Sequence, residues 1–173
     1  MKTIRIILPL ILLSFLYSCS SIRVASDYDS TVDFSQYKTF AFHANGIEKV
    51  PISEFDKKRI MKAIETELNK KGITKAENPD LLVNFFTKER EIVNVSQYYG
   101  YGWGWGYGWG GPAHVSSSTE GQLYIDFIDA NKKALIWQGQ GTGYLEQYSP
   151  NKDELIYEFV SKILVQYPPV KQK

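Results

Sequence analysis

Thiol chemistry has a single possible seat in this chain: Cys19 is the lone cysteine among 173 residues. Intramolecular disulfides and thiolate zinc clusters are therefore excluded by arithmetic. The surroundings of Cys19 point to chemistry of another kind. Lys2 and Arg5 precede a mostly apolar run from Ile6 to Tyr17, and the small residue Ser18 stands directly before the sulfur. A charged start, an apolar middle and a small residue at the cut form the layout of a secretory signal peptide. The run falls short of the roughly 18 apolar residues that read as a membrane span, and Pro9 interrupts it.

Other reactive side chains do not assemble into a catalytic pattern. His43 and His114 are the only histidines, and neither has the spacing of a zinc-binding helix. Asp126 and Asp129 are three apart in an extended stretch, which sends them to opposite faces and prevents acid–base pairing; Asp126 is expected to balance a lysine or arginine. Gly106 to Gly111 formally matches a phosphate-binding glycine motif, but Pro112 and serines follow where a helix must begin. No nucleophile elbow is present. The reading is therefore not an enzyme, with no catalytic residue, no metal site and no cofactor.

A second unusual segment is built for contact. Tyr99, Tyr101, Trp103, Trp105, Tyr107 and Trp109 alternate with glycines, and no Asp, Glu, Lys or Arg occurs from Ile92 through Thr119. In extended form, the aromatics share one side at a spacing of about 6.6 Å. Such side chains suit stacking on sugars, entry into a lipid interface or docking on a partner. The glycines oppose ordering, so a loose crest between two strands is the competing reading.

The ending Leu16-Tyr17-Ser18-Cys19 resembles the lipobox of bacterial lipoproteins. That resemblance implies recognition through Leu16 and Ser18, transfer of a diacylglyceryl group to the Cys19 sulfur, cleavage before Cys19 and, often, acylation of the new N-terminus. Removing residues 1–18 from 173 leaves 155, a usual size for one domain. The mature chain then carries 18 basic and 19 acidic side chains, too even a balance to attract nucleic acid. The expected address is the envelope of a Gram-negative bacterium. Ser20 and Ser21 lack the aspartate that retains lipoproteins in the inner membrane. This favours a lipid-anchored, periplasm-facing position on the outer membrane.

The elements behind these segments are legible from periodicity. Ile22–Tyr28 and Lys38–His43 read as strands, the second ended by Asn45-Gly46. Ser53 opens a helix whose stripe is Ile60, Met61, Ile64 and Leu68, with Lys57, Lys58, Lys62 and Glu65 solvated; Gly72 stops it, and Ile73 folds back on Leu68. Asn78-Pro79-Asp80 is a turn. Leu81–Val95 is extended, covered on both faces at its start and reaching past the core as a twisted ribbon beyond Lys88. Gly121–Asp129 and Ala134–Tyr144 form a hairpin, and Gly139, Gly141 and Gly143 share one face, implying a bulge, strong twist or close packing. A last helix from about Ser149 carries Leu155, Ile156, Phe159, Val160, Ile163, Leu164 and Tyr167.

Four stretches resemble the domain of unknown function 4136 family of bacterial lipoproteins. They are Asp27 to Asp29 with Asp33 to Phe42; Asn78 to Val83; Gly121 to Ala130 with Leu135 to Gly139; and Ile163 to Pro169. The resemblance implies an α+β fold and a lipid anchor and supplies no catalytic residue. In this stretch Asp27, Asp29 and Asp33 read as turn caps, and Tyr28, Phe34 and Tyr37 as packing around a strand connection. The fold class is α+β: a single two-layer domain, a mostly antiparallel sheet with two helices packed on one face. The organisation is a signal peptide (1–18), a lipidated N-terminus and tether (19–21), one domain (22–169) with a glycine-aromatic and serine-rich loop insertion (97–119), and a tail (170–173). The functional expectation is a non-catalytic binding or scaffold module on the membrane, held by lipid on Cys19, with an envelope protein or glycan as partner. The alternative is contact with glycan or membrane through the aromatic loop 98–111.

Overall fold

The computed structural model describes residues 22–96, 114–143 and 150–170. The fold is α+β, with a mixed six-stranded sheet and three helices among the described residues. In chain order these are β1 (Arg23–Tyr28), a 3-10 turn (Phe34–Gln36), β2 (Thr39–Phe42), α1 (Ala44–Glu48), α2 (Glu54–Lys70), β3 (Thr74–Lys75), β4 (Leu81–Ser96), β5 (His114–Asp129), β6 (Leu135–Gly143) and α3 (Lys152–Leu164). The sheet order is β1-β6-β5-β4-β2-β3. The pairs β1–β6, β6–β5 and β5–β4 are antiparallel, whereas β2 runs parallel to both β4 and β3.

Helix α2 forms where the sequence places it, and its two ends explain why. Ser53 Oγ accepts from the Asp56 backbone N–H at 3.1 Å, closing the N-terminus. At the other end the Ile73 N–H donates to the Leu68 carbonyl and the Gly72 N–H to that of Asn69, both at 3.0 Å. This pairing needs a left-handed residue, and Gly72 supplies it at φ +76°. A Cβ on Gly72 would meet nothing within 4 Å, so Gly72→Ala tests backbone conformation alone. It should cost about 1 kcal/mol in urea denaturation. Lys57 corrects the expectation of a solvated face. It is buried, and its Nζ donates to the Glu48 carbonyl at the end of α1 and to Glu54 Oε1, each at 2.8 Å.

Helix α1 was not foreseen. Asn45-Gly46 reads as a strand-ending turn, yet the chain winds into a short helix there. The glycine serves close approach: a Cβ on Gly46 would stand 2.4 Å from Asn84 Oδ1. The strip Gly139, Gly141, Gly143 has the same cause. A Cβ on Gly141 would lie 2.5 Å from Phe159 Cε1 and 2.8 Å from Ile163 Cδ1; on Gly139 it would lie 2.3 Å from Trp137 Cη2 and 2.5 Å from Ile163 Cγ2. The apolar stripe of α3 thus presses on a strip of β6 without side chains.

The core joins that stripe to Ile60, Ile64 and Leu68 of α2 and to Leu81, Val83, Phe85, Leu123, Ile125 and Phe127 of the central strands. At the bulged end of the β5–β6 hairpin, Phe127 pairs with Trp137 and Ile128 with Leu135, leaving Ile136 as an extra residue. Ile136 and Trp137 are consecutive and both buried, an arrangement that a bulge permits and regular alternation does not. On β4 the expectation of two covered faces is corrected. Leu81, Val83 and Phe85 are fully buried, but Leu82, Asn84 and Phe86 on the other face are only half-buried.

The Asn78-Pro79-Asp80 turn is a clasp. Asp80 Oδ2 accepts from the backbone N–H groups of Lys38 and Thr39, both at 2.9 Å, and from Thr39 Oγ1 at 2.8 Å. It fixes the start of β2 beside β4. The long strands then leave the sheet. Beyond the Gly121–Gly143 pair, β4 and β5 stay paired from Arg90–Glu120 to Ser96–His114, seven further residue pairs. Ser116, Ser117 and Ser118 therefore belong to a strand and not to a linker, because β4 supplies a partner register along their whole length.

Candidate functional site

Register across the three central strands assembles a polar row that the sequence alone did not reveal. Asn84 pairs with Asp126, and Asp126 with Gln138, so the three side chains line up across β4, β5 and β6 on the half-buried face. Gln138 Nε2 donates to Asp126 Oδ1 at 2.7 Å, and Asn84 also hydrogen-bonds the carboxylate. The expected lysine or arginine partner of Asp126 is corrected to these two amides. Burial of the Asp126 carboxyl, which is 9 % exposed, raises its pKa above 3.8, and the two amide hydrogen bonds only partly offset this. Asn84 Oδ1 is buried with no hydrogen-bond partner.

One register step further along, Phe86 and Tyr124 stack with ring centroids 4.7 Å apart and planes 4° from parallel. Lys88 Nζ sits 5.6 Å and 5.0 Å from the two ring centres. Tyr124 Oη donates to Gln122 Oε1 at 3.3 Å, and Gln140 Nε2 to Thr142 Oγ1 at 3.3 Å. Amides, a hydroxyl, a stacked aromatic pair and one ammonium make a surface that can hydrogen-bond and stack. That is the chemistry of recognition.

These features give a prediction of opposite sign to most core changes. Protonated Asp126 is the form the fold favours. Its contribution is fully present below the unfolded value of 3.8 and is lost as pH rises through the higher folded pKa. Asn at this position stays neutral at every pH and can donate to Asn84 Oδ1. Asp126→Asn should therefore stabilise the domain at pH 7 by about 1 kcal/mol, the scale of one buried hydrogen bond. The gain should shrink toward pH 3 in urea denaturation.

The carboxylates of the strand connections behave conventionally. Hydrogen bonds from Thr31 to Asp29, from Lys38 and Thr39 to Asp80, and from Lys132, Tyr37 and Asn131 to Asp129 hold all three carboxyls below the usual aspartate range. The stability they contribute is present above 3.8 and is lost as pH falls through their folded values. Acid denaturation should be weakened in Asp80→Asn, measured as a smaller loss of stability between pH 5 and 3. Burial and then Asp129, whose Oδ2 accepts from Tyr37 Oη at 2.9 Å, push the Tyr37 hydroxyl up to about 12. Asp29 and Asp33 cap Thr31 and Ser35, as their turn-like setting implies. Phe34 meets Tyr28 and Tyr37, with ring centroids 6.0 and 6.5 Å away.

The residues singled out from sequence fall elsewhere. Leu16, Ser18 and Cys19, and Tyr99, Tyr101, Trp103, Trp105, Tyr107 and Trp109, lie outside the described residues. His43 follows β2 at the start of α1, and His114 opens β5. Alternation does put Asn84, Phe86, Tyr124 and Asp126 at the same parity on their strands. Only the pairing register brings them side by side.

A solved structure resembles this chain in fold. A PDZ domain protein from Parabacteroides distasonis matches 95 % of this chain at 21 % identity with a TM-score of 0.55, and this chain spans 40 % of that protein's length. Two PelC dodecamer structures from Paraburkholderia phytofirmans, each 11 % identical over 83 % of this chain and 94 % of theirs, give TM-scores of 0.49 and 0.47. No curated protein matches the chain. The family model described as Domain of unknown function (DUF4136) matches residues 24–169, the strands, helices and polar row included, and the chain belongs to that family.

Proposed function

We propose that this protein is a lipid-anchored module of the Gram-negative cell envelope. In this reading it is held on the outer membrane through Cys19, faces the periplasm, and binds another envelope component without catalysing a reaction. Its scaffold is a single two-layer domain in which α2 and α3 share one side of the sheet. The other side, which α1 covers at Asn84 and which stays part-exposed at Phe86, Tyr124 and Gln138, is left for recognition. The observation that carries this reading is the row Asn84–Asp126–Gln138 beside the Phe86–Tyr124 stack under Lys88. Strand register holds these side chains in place; Asp126 is buried beneath the patch, while Phe86, Tyr124 and Gln138 are part-exposed and Lys88 exposed, and together they offer hydrogen bonds and ring faces.

The test is crosslinking capture from intact envelopes, comparing the native chain with a Tyr124→Ala/Gln138→Ala variant of equal abundance. Loss of a specific crosslinked component in the variant is expected. An unchanged set of captured components overturns the role of this face. Intact mass of the mature chain checks the anchor: it should begin at Cys19 and carry acyl groups.

A second reading, contact with glycan or membrane through residues 98–111, is favoured by the paired extension of β4 and β5 that leads to them. Protein lacking residues 1–19 should pellet with liposomes or peptidoglycan, and protein also lacking 97–112 should not. Failure of both to pellet removes this reading.

A further inference from the structure

The pairing registers fix which end of the sheet faces the chain's N-terminus. Arg23 pairs with Thr142, Thr142 with Gln122, and Gln122 with Lys88, so these four residues form one row across the sheet. Strands β1 and β5 are both antiparallel to β6 and so run in the same direction. Residues preceding Arg23 and residues preceding Gln122 therefore leave the row on the same side. On that side lies the ribbon made by Arg90–Ser96 and His114–Glu120, and from that side the chain enters β1 through Ile22.

Reach decides what this means. Four Cα steps separate Cys19 from Arg23, at most about 14 Å of chain. The ribbon runs eight residues from the Gln122 row to His114, about 27 Å. Two strand-to-strand rotations of 20–25° turn it roughly 45° from β1, which still leaves about 19 Å of projection along β1. The arm therefore outreaches the tether. The outer part of the ribbon, beyond Arg90, Glu91 and Glu120 at its base, is also compatible with a lipid interface in charge, since no Asp, Glu, Lys or Arg occurs from Ile92 through Thr119.

We infer that the β4–β5 ribbon is a membrane-facing arm whose partner is the lipid bilayer that holds the chain's own N-terminus. This rests on the lipid anchor at Cys19 proposed above. The domain is then attached at two points, the acyl chains and the ribbon, and its orientation over the bilayer is fixed. Two or more acyl chains hold the chain firmly but leave its orientation free, so the second contact matters for orientation.

The experiment uses the full-length, acylated protein, in which the Cys19 sulfur is blocked and an introduced cysteine is the only free thiol. Val95→Cys on the ribbon and Lys132→Cys in the turn at the opposite end of the sheet are each labelled with an environment-sensitive dye. Both are reconstituted into phosphatidylcholine–phosphatidylglycerol vesicles containing a nitroxide lipid. Ser116→Cys, which pairs with Asn94 on the other ribbon strand, replaces Val95→Cys if the latter does not fold. The expected result is a blue shift and lipid quenching at the ribbon position and neither at Lys132→Cys. Equal aqueous accessibility at both positions in acylated protein overturns the proposal, as does a ribbon label shielded from both lipid and aqueous quenchers, which marks a protein partner. Absence of acyl groups on the purified chain, read by mass beforehand, fails the anchor itself and this inference with it.

Discussion

Gly141→Val should cost about 3 kcal/mol or more, and Gly141→Ala somewhat less, in urea denaturation of the domain. Even the first added carbon lands 2.5 Å from Phe159 and 2.8 Å from Ile163, on a strand flanked by β1 and β5 that has no room to retreat. Phe159 Cε1 belongs to a rigid ring, and Ile163 Cδ1, though a terminal methyl, is followed by Cγ1 at 2.9 Å; both residues are fully buried parts of α3. Relief requires lifting α3 from the sheet, which uncovers the core along its length. Gly143 is the internal control. Its added Cβ would lie 3.1 Å from Phe159 Cε2 and 3.4 Å from Ile22, so Gly143→Ala should change stability by less than about 1 kcal/mol, the lost strand penalty of glycine offsetting the crowding. Shrinking the opposing ring offers a second check. Phe159→Leu should be destabilising alone yet partly rescue Gly141→Ala, a coupling that a double-mutant cycle measures. Equal cost at Gly141 and Gly143 would refute the idea that helix contact selects these glycines.

Trp137→Ala should be comparably severe, about 3–5 kcal/mol, which in a domain of this size lowers Tm by roughly 8–16 °C. Trp137 is fully buried, and its ring meets Phe127 at 4.8 Å and Tyr167 at 5.4 Å, while Phe127 meets Tyr167 at 4.6 Å. These three rings bind the bulged hairpin to the segment after α3, so truncating one leaves the other two without an edge or face. Trp137→Phe should lose less than Trp137→Ala. Removing the indole also removes the Nε1–H, which is buried without a partner, so part of the lost packing is returned. Calorimetry of the three proteins at one pH gives the ranking.

Much of this fold was legible because its signals are local. The α2 cap, stripe and glycine stop depend on residues within a few positions of one another, and the structure reproduces each. The hairpin and the ribbon were readable from alternation and from the loss of apolar residues at Lys88-Glu89-Arg90-Glu91. What escaped was non-local. Lys57 reads as solvated until the Glu48 carbonyl at the end of α1 is placed against its Nζ, and α1 reads as a turn until Asn84 is placed against Gly46. β2 as a parallel strand between β3 and β4 depends on the Asp80 clasp, two residues of which lie more than forty positions upstream. The polar row failed to appear for the same reason: Asn84, Asp126 and Gln138 are unremarkable singly, and only the register makes them neighbours. From sequence the glycine strip admits a bulge, a strong twist or close packing, and the closeness of Phe159 and Ile163 selects close packing.

The placement of β1 has a mechanical consequence. All six of its residues pair with β6, and the chain enters it at Arg23, the end nearest the N-terminus. Tension applied through the preceding residues acts along the strand axis, nearly perpendicular to its ladder of hydrogen bonds. Such a load is shared by the whole ladder at once, as in a lap joint under shear. A load applied across the strand axis would instead peel β1 from β6 one pair at a time. The sheet thus resists drag most strongly when the pull runs along β1.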